Sequence, residues 1–182
     1  MDTTYMIITV VVVLVIVGIL LAVAFTSRAR TKRLRSKFGP EYDRTVESLG
    51  SEKTAQVELR ERQKHVEELD IHPLSLNDRA RYLDDWAAVQ SKFVDEPSQA
   101  ILDADRLIME VMQLRGYPVS DFEQRAADIS VNYPALVRNY RAARAIALRN
   151  AQGLADTEAL RQALIYYRSL FSELLAIEPA FA

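Results

Sequence analysis

The chain has no cysteine, only five glycines and only two histidines in 182 residues. Without cysteine there is no disulfide framework, no thiolate metal site and no cysteine nucleophile. So few glycines exclude collagen-like and Gly-rich linker classes, and no glycine loop that could cradle a phosphate is present. No segment alternates apolar and polar residues over six positions between turn signals, so no strand is expected. Charge is also missing from the start: after Asp2 the next charged residue is Arg28.

What fills that gap is a run of 21 uncharged residues from Tyr5 to Phe25. At 1.5 Å per residue such a helix spans about 32 Å, against a hydrocarbon core of about 30 Å. Its many Val and Ile residues are poor helix formers in water, but in lipid the backbone must satisfy itself internally. The expectation is an uncleaved N-terminal transmembrane helix over residues 1–27. A cleaved signal peptide is the alternative, since Ala22-Val23-Ala24 fits the small-residue cleavage pattern. Against it, the start lacks Lys and Arg, and the run is longer than the usual apolar region of a signal.

Six basic residues follow with no acid among them: Arg28, Arg30, Lys32, Arg33, Arg35 and Lys37. From Phe38 onward the balance reverses to 17 basic against 24 acidic residues, a net charge of −7. Basic residues flanking a span stay in the cytoplasm, so the N-terminus is expected outside and the body inside. The same collar attracts anionic lipid, although setting topology is its main expected role. Leu34 and Phe38 are four apart and are expected to share an interfacial helix face. If the run were cleaved or inverted, the body would be secreted or extracytoplasmic.

The rest reads as all-α: a charged helical stalk to residue 70, then an antiparallel bundle of about four to five helices over 71–182. Gly39-Pro40 and Gly50-Ser51 are breaks. The thinly apolar pattern of the stalk, with its charge-rich Glu58 to Glu68, suggests that it joins the bundle late. Ile71 to Leu74 is an extended connector, because the residue before Pro73 avoids helical angles. Ser75 with Asp78 caps a helix whose stripe is Tyr82, Trp86, Val89 and Phe93. Pro97 opens a helix with Ile101, Ala104, Ile108, Val111 and Met112 inward, stopped at Gly116. Ser120 and Glu123 form a capping-box pattern for a short helix over 121–129, with 130–133 as a linker. Pro134 to Ala151 is helical. Asp156 or Thr157 caps the last helix, whose stripe is Leu160, Ala163, Leu164, Tyr167, Leu170, Phe171 and Leu174.

Four stretches together resemble a known family: Phe38-Gly-Pro-Glu-Tyr-Asp-Arg-Thr-Val-Glu47, Arg115-Gly-Tyr-Pro-Val-Ser-Asp-Phe-Glu-Gln-Arg-Ala-Ala-Asp-Ile-Ser-Val131, Asn139-Tyr-Arg-Ala-Ala143 and Tyr166-Tyr-Arg-Ser-Leu-Phe171. It is an uncharacterised family of small bacterial proteins with one N-terminal membrane span and a helical body, some labelled secreted. The resemblance covers nearly all the chain after the span. It implies the same architecture and lends no catalytic residue.

Chemistry is sparse. Glu61 and His65 share a helix face, but the Glu-x-x-His pattern of di-metal bundles is missing, so no metal or other cofactor is expected. No nucleophile motif appears, and the expectation is a protein that is not an enzyme. The acid pairs Asp84-Asp85, Asp103/Asp105 and Asp121/Glu123 fit capping and ion pairing. The acidic body argues against nucleic acid. Arg138, Arg141 and Arg144 form a ridge expected to pair with acids elsewhere. The most specific patch is Tyr117, Asp121, Phe122, Glu123 and Arg125: a surface for an unidentified protein partner, or a helix corner in which Tyr117 and Phe122 plug the core.

Overall fold

Local punctuation sets where each helix begins and ends. The computed structural model describes residues 28–176 together with positions 14, 16 and 18, and among these the chain is all-α. Residues 28–38 form α1. The helices that follow are α2 (Pro40–Leu49), α3 (Glu52–Glu67), α4 (Leu76–Asp95), α5 (Pro97–Leu114), α6 (Phe122–Asn132), α7 (Pro134–Ala151) and α8 (Thr157–Leu175). Pro40, Pro97 and Pro134 each stand at a helix start, where the missing N–H costs nothing and φ is already helical. Ser75, Asp121 and Asp156 cap α4, α6 and α8, accepting from the backbone N–H groups of Asp78, Gln124 and Ala159.

Two local expectations are corrected. The cap of α6 is Asp121 rather than Ser120, with its Oδ1 2.9 Å from the Gln124 N. Residues 130–132 are helical rather than a linker. Ser130 is buried and its hydroxyl donates to the Ala127 carbonyl at 2.6 Å, so a polar residue that suggests a loop is satisfied inside the helix.

The main core lies between α4, α5, α7 and α8, with α6 closing one side. The stripes expected on α4, α5 and α8 all contribute to it, Phe93 and Leu164 from its half-buried rim. Trp86 stacks on Phe171 with ring centroids 4.6 Å apart. Tyr140 meets Phe122 at 5.0 Å and Tyr167 at 6.2 Å, geometries that add to plain area burial.

Residues 28–70 differ most from the stalk expected of them. α1, α2 and α3 fold together around Leu34, Phe38, Tyr42, Leu59 and Val66, and this second cluster reaches Val131 of α6. Burying side chains of this size is worth roughly 1.5–3 kcal/mol each, which few apolar positions can supply if each is fully covered. Leu34 and Phe38 are therefore inside protein, not on an interfacial face. Polar contacts complete the fit. The Tyr42 hydroxyl donates to Glu52 at 2.7 Å and accepts from Gln56 at 3.2 Å, while Gln56 also donates to Thr31 at 3.0 Å.

The 21-residue apolar run lies outside the described residues except for Leu14, Ile16 and Gly18, which are helical. Among the described residues no helix is long and apolar enough to cross a membrane.

Candidate functional site

Glu41 holds the α1–α3 unit against the bundle. Its carboxylate is 1% exposed and lies 3.5 Å from Arg44, 3.3 Å from Arg62 and 3.2 Å from Arg141. Arg141 also pairs with Glu123 at the start of α6. One buried acid thus ties α2, α3 and α7 together. Arg144 pairs at 3.0 Å with buried Asp105 on α5. Two members of the arginine ridge, Arg141 and Arg144, therefore pair with acids elsewhere, as expected.

A second polar contact joins α3 to α6. Asp128 is fully buried, accepts from Gln124 at 2.8 Å, and lies 3.7 Å from His65. Burial pushes its carboxyl above the ordinary aspartate range, opposed by Gln124 and by the nearby His65 and Arg62. His65 is thus engaged in an interhelical contact, and among the described residues no three metal-ligating side chains converge.

The 117–125 patch divides. Tyr117 is 2% exposed and Arg125 5% exposed. Arg125 donates to the Tyr140 hydroxyl at 3.3 Å and the Val119 carbonyl at 3.0 Å. Phe122 is half-buried beneath the guanidinium groups of Arg125 and Arg144, each 5.7 Å from its ring centre. Asp121 and Glu123 are exposed, one capping α6 and the other pairing with Arg141. The geometry accounts for Tyr117, Phe122 and Arg125 as a packed helix corner.

The basic collar occupies α1. Arg28, Arg30, Lys32, Arg33 and Arg35 are exposed and Lys37 is half-buried, all arranged around the inward residues Leu34 and Phe38. Arg35 pairs with Asp43 at 2.9 Å and lies over the Tyr42 ring. The Asp43 partner holds the Arg35 guanidinium above its ordinary pKa. Two clefts open along α1. One is lined by Arg28, Thr31, Lys32, Arg35 and Glu52. The other, of about 310 Å³, is lined by Arg30, Arg33, Leu34, Lys37, Arg60 and Gln63. Arg60 and Gln63 come from α3 and were not singled out in the sequence. They sit in an ordinary charged helical run, and only the packing of α3 beside α1 brings them to the collar.

Elsewhere a groove of about 410 Å³ between α2, α6 and α7 is lined by both signs of charge, among them Arg44, Asp121, Glu123 and Arg141. A groove between α4 and α5 is equally mixed, with Lys92 and Arg106 alongside Asp103 and Glu110. Hydrogen bonding to Lys92 holds the Asp103 carboxyl below its ordinary range. Of these surfaces only the Arg30–Arg60 cleft is lined by one sign of charge.

In the comparisons with known proteins, no family model, no curated protein and no solved structure matches this chain.

Proposed function

We propose that this is a single-pass, membrane-anchored helical module with its N-terminus outside and its body in the cytoplasm, acting by binding or scaffolding rather than by catalysis. The observation that carries the reading is the sequence of three blocks: 21 uncharged residues, six cations, and an acidic body. The run is long enough to cross the hydrocarbon core, and the cations favour the cytoplasmic side. The net −7 of the body opposes nonspecific adhesion to anionic lipid. Anchoring confines the body to a thin layer and raises its effective concentration toward protein partners there.

The way α1 packs refines the picture. α1 shares its apolar face with α2 and α3, and these are held to α6 and α7. In this reading the folded body stands directly on the collar, with no long free stalk between them.

The test is a reporter fused at the C-terminus, one form active only in the cytoplasm and one only after export. Activity of the cytoplasmic form alone supports the proposal. The Ala22-Val23-Ala24 pattern favours a second reading, an exported protein of the same fold that binds an envelope ligand. Activity of the exported form, or mature protein that begins near Phe25, establishes that reading instead.

A further inference from the structure

We propose that the cleft between α1 and α3 is a binding site for a phosphate group, with Arg60 of α3 completing a set of cations that the collar begins. The inference rests on the membrane-anchored reading for its preferred source, a phospholipid headgroup. The chemistry alone also admits a soluble phosphate ester.

Four cations converge on the cleft: Arg30, Arg33 and Lys37 from α1 and Arg60 from α3. No acid lines it. Among the described residues none of the four has a carboxylate within ion-pair distance, whereas the neighbouring Arg35 is taken up by Asp43. Elsewhere Arg62, Arg141, Arg144 and Arg161 are paired with acids, and the cleft is set apart by four cations lining one concavity without a carboxylate. A cluster of like charges on two packed helices repels itself, and an anion seated among them relieves that repulsion. Guanidinium forks match phosphate oxygens in a bidentate manner, and three of the four cations are arginines. Leu34 forms an apolar floor. The Gln63 amide, which donates to Glu67 at 2.7 Å, adds a neutral polar edge.

The placement suits a headgroup. Glu52 lines the cleft at residues 28–35, Gln56 bonds Thr31, and Arg60 and Gln63 face residues 30–37, so α3 runs beside α1 in the same sense. Along the sequence Arg30 lies five and Lys37 twelve residues after Phe25, the end of the uncharged run. Side chains on a helix lean toward its N-terminus, which in the membrane-anchored reading is the bilayer side of both helices. In that reading the long stems of Arg30, Arg33 and Lys37 direct their charges toward the bilayer side while covering apolar surface.

The test uses the full chain in neutral detergent micelles. It is titrated separately with short-chain phosphatidylglycerol, short-chain phosphatidylcholine, glycerol phosphate and inorganic phosphate, and read by NMR of the arginine Nε–H groups. The proposal expects saturable binding that weakens about tenfold in Arg60→Gln. It should stay within about twofold in Lys53→Gln, which removes the same charge from an exposed site on the same helix. Saturation by phosphatidylglycerol but not by glycerol phosphate identifies a lipid source; saturation by both identifies the phosphate group as sufficient. Equal weakening by the two variants, or no saturation by any phosphate compound, overturns the proposal. Because micelles have no sidedness, these titrations are independent of the topology reporter, so a failure of the anchor reading registers there and not here.

Discussion

Gly116→Ala makes a sharp test of how the α3–α4 connector is locked to the bundle. Gly116 has φ +94, and a Cβ there would stand 2.1 Å from the Asp70 carbonyl oxygen and 3.0 Å from its carbon. Both are backbone atoms, so no flexible side chain can yield. The left-handed conformation alone costs an alanine about 1–2 kcal/mol. Moving the connector also strains the bond from the His72 N–H to the Arg115 carbonyl, 3.0 Å long, worth about 1 kcal/mol. The total is about 2–3 kcal/mol, which lowers Tm by roughly 4–12 °C for a chain of this size. Gly153→Ala is the control: its φ is +70 but nothing lies within 4 Å of the added carbon, so only the backbone cost of about 1–2 kcal/mol applies. Thermal unfolding of the full chain in detergent, followed by circular dichroism, compares the two. Equal shifts for both variants would refute the steric argument, because both pay the same conformational cost and only one meets the Asp70 backbone.

Three further outcomes follow from the polar contacts. Glu41→Gln leaves Arg62 and Arg141 half-buried without their shared anion and should cost about 3–5 kcal/mol; hydrogen exchange should rise first in α2 and α3, and uniform loss across all helices would contradict a local tie. Asp128→Asn should be neutral or stabilising at pH 7. The native carboxyl is raised by burial, so its stabilising contribution is full below the unfolded aspartate value of about 3.9 and is lost as pH rises through the folded one; urea unfolding should show that decline above about pH 4 in the parent and not in the variant. Lys92→Met should return the Asp103 carboxyl upward toward its ordinary range, because the Lys92 hydrogen bond at 2.8 Å is the main influence lowering it; carboxyl NMR titration reads the change.

Much of the local structure is already in the residues. Proline at helix starts, glycine at stops and Ser or Asp at caps follow from backbone sterics and unpaired N–H groups, both confined to a few neighbouring residues. The heptad-like stripes of α4, α5 and α8 likewise show their inward faces directly, since helical periodicity needs no knowledge of the partner. The charge blocks before Phe38 are properties of order along the chain and need no fold to be read. Tyr117 and Phe122 could be recognised as corner residues, while the burial of Arg125 could not, because an arginine on a helix gives no sign of which partners await it.

What only the tertiary structure decided is how residues 28–70 sit. Their apolar content suggests a weakly packed stalk, yet Leu34, Phe38, Tyr42 and Leu59 are each almost wholly covered. Coverage depends on contacts between helices distant in sequence, as in the Glu41 to Arg141 ion pair. The cationic cleft has the same origin: Arg30 and Arg60 are separated by two turns of chain and a whole helix, and become neighbours only when α3 lies along α1. Composition along the chain determines which charges exist and in what order, but packing determines which of them find partners and which are left facing one another.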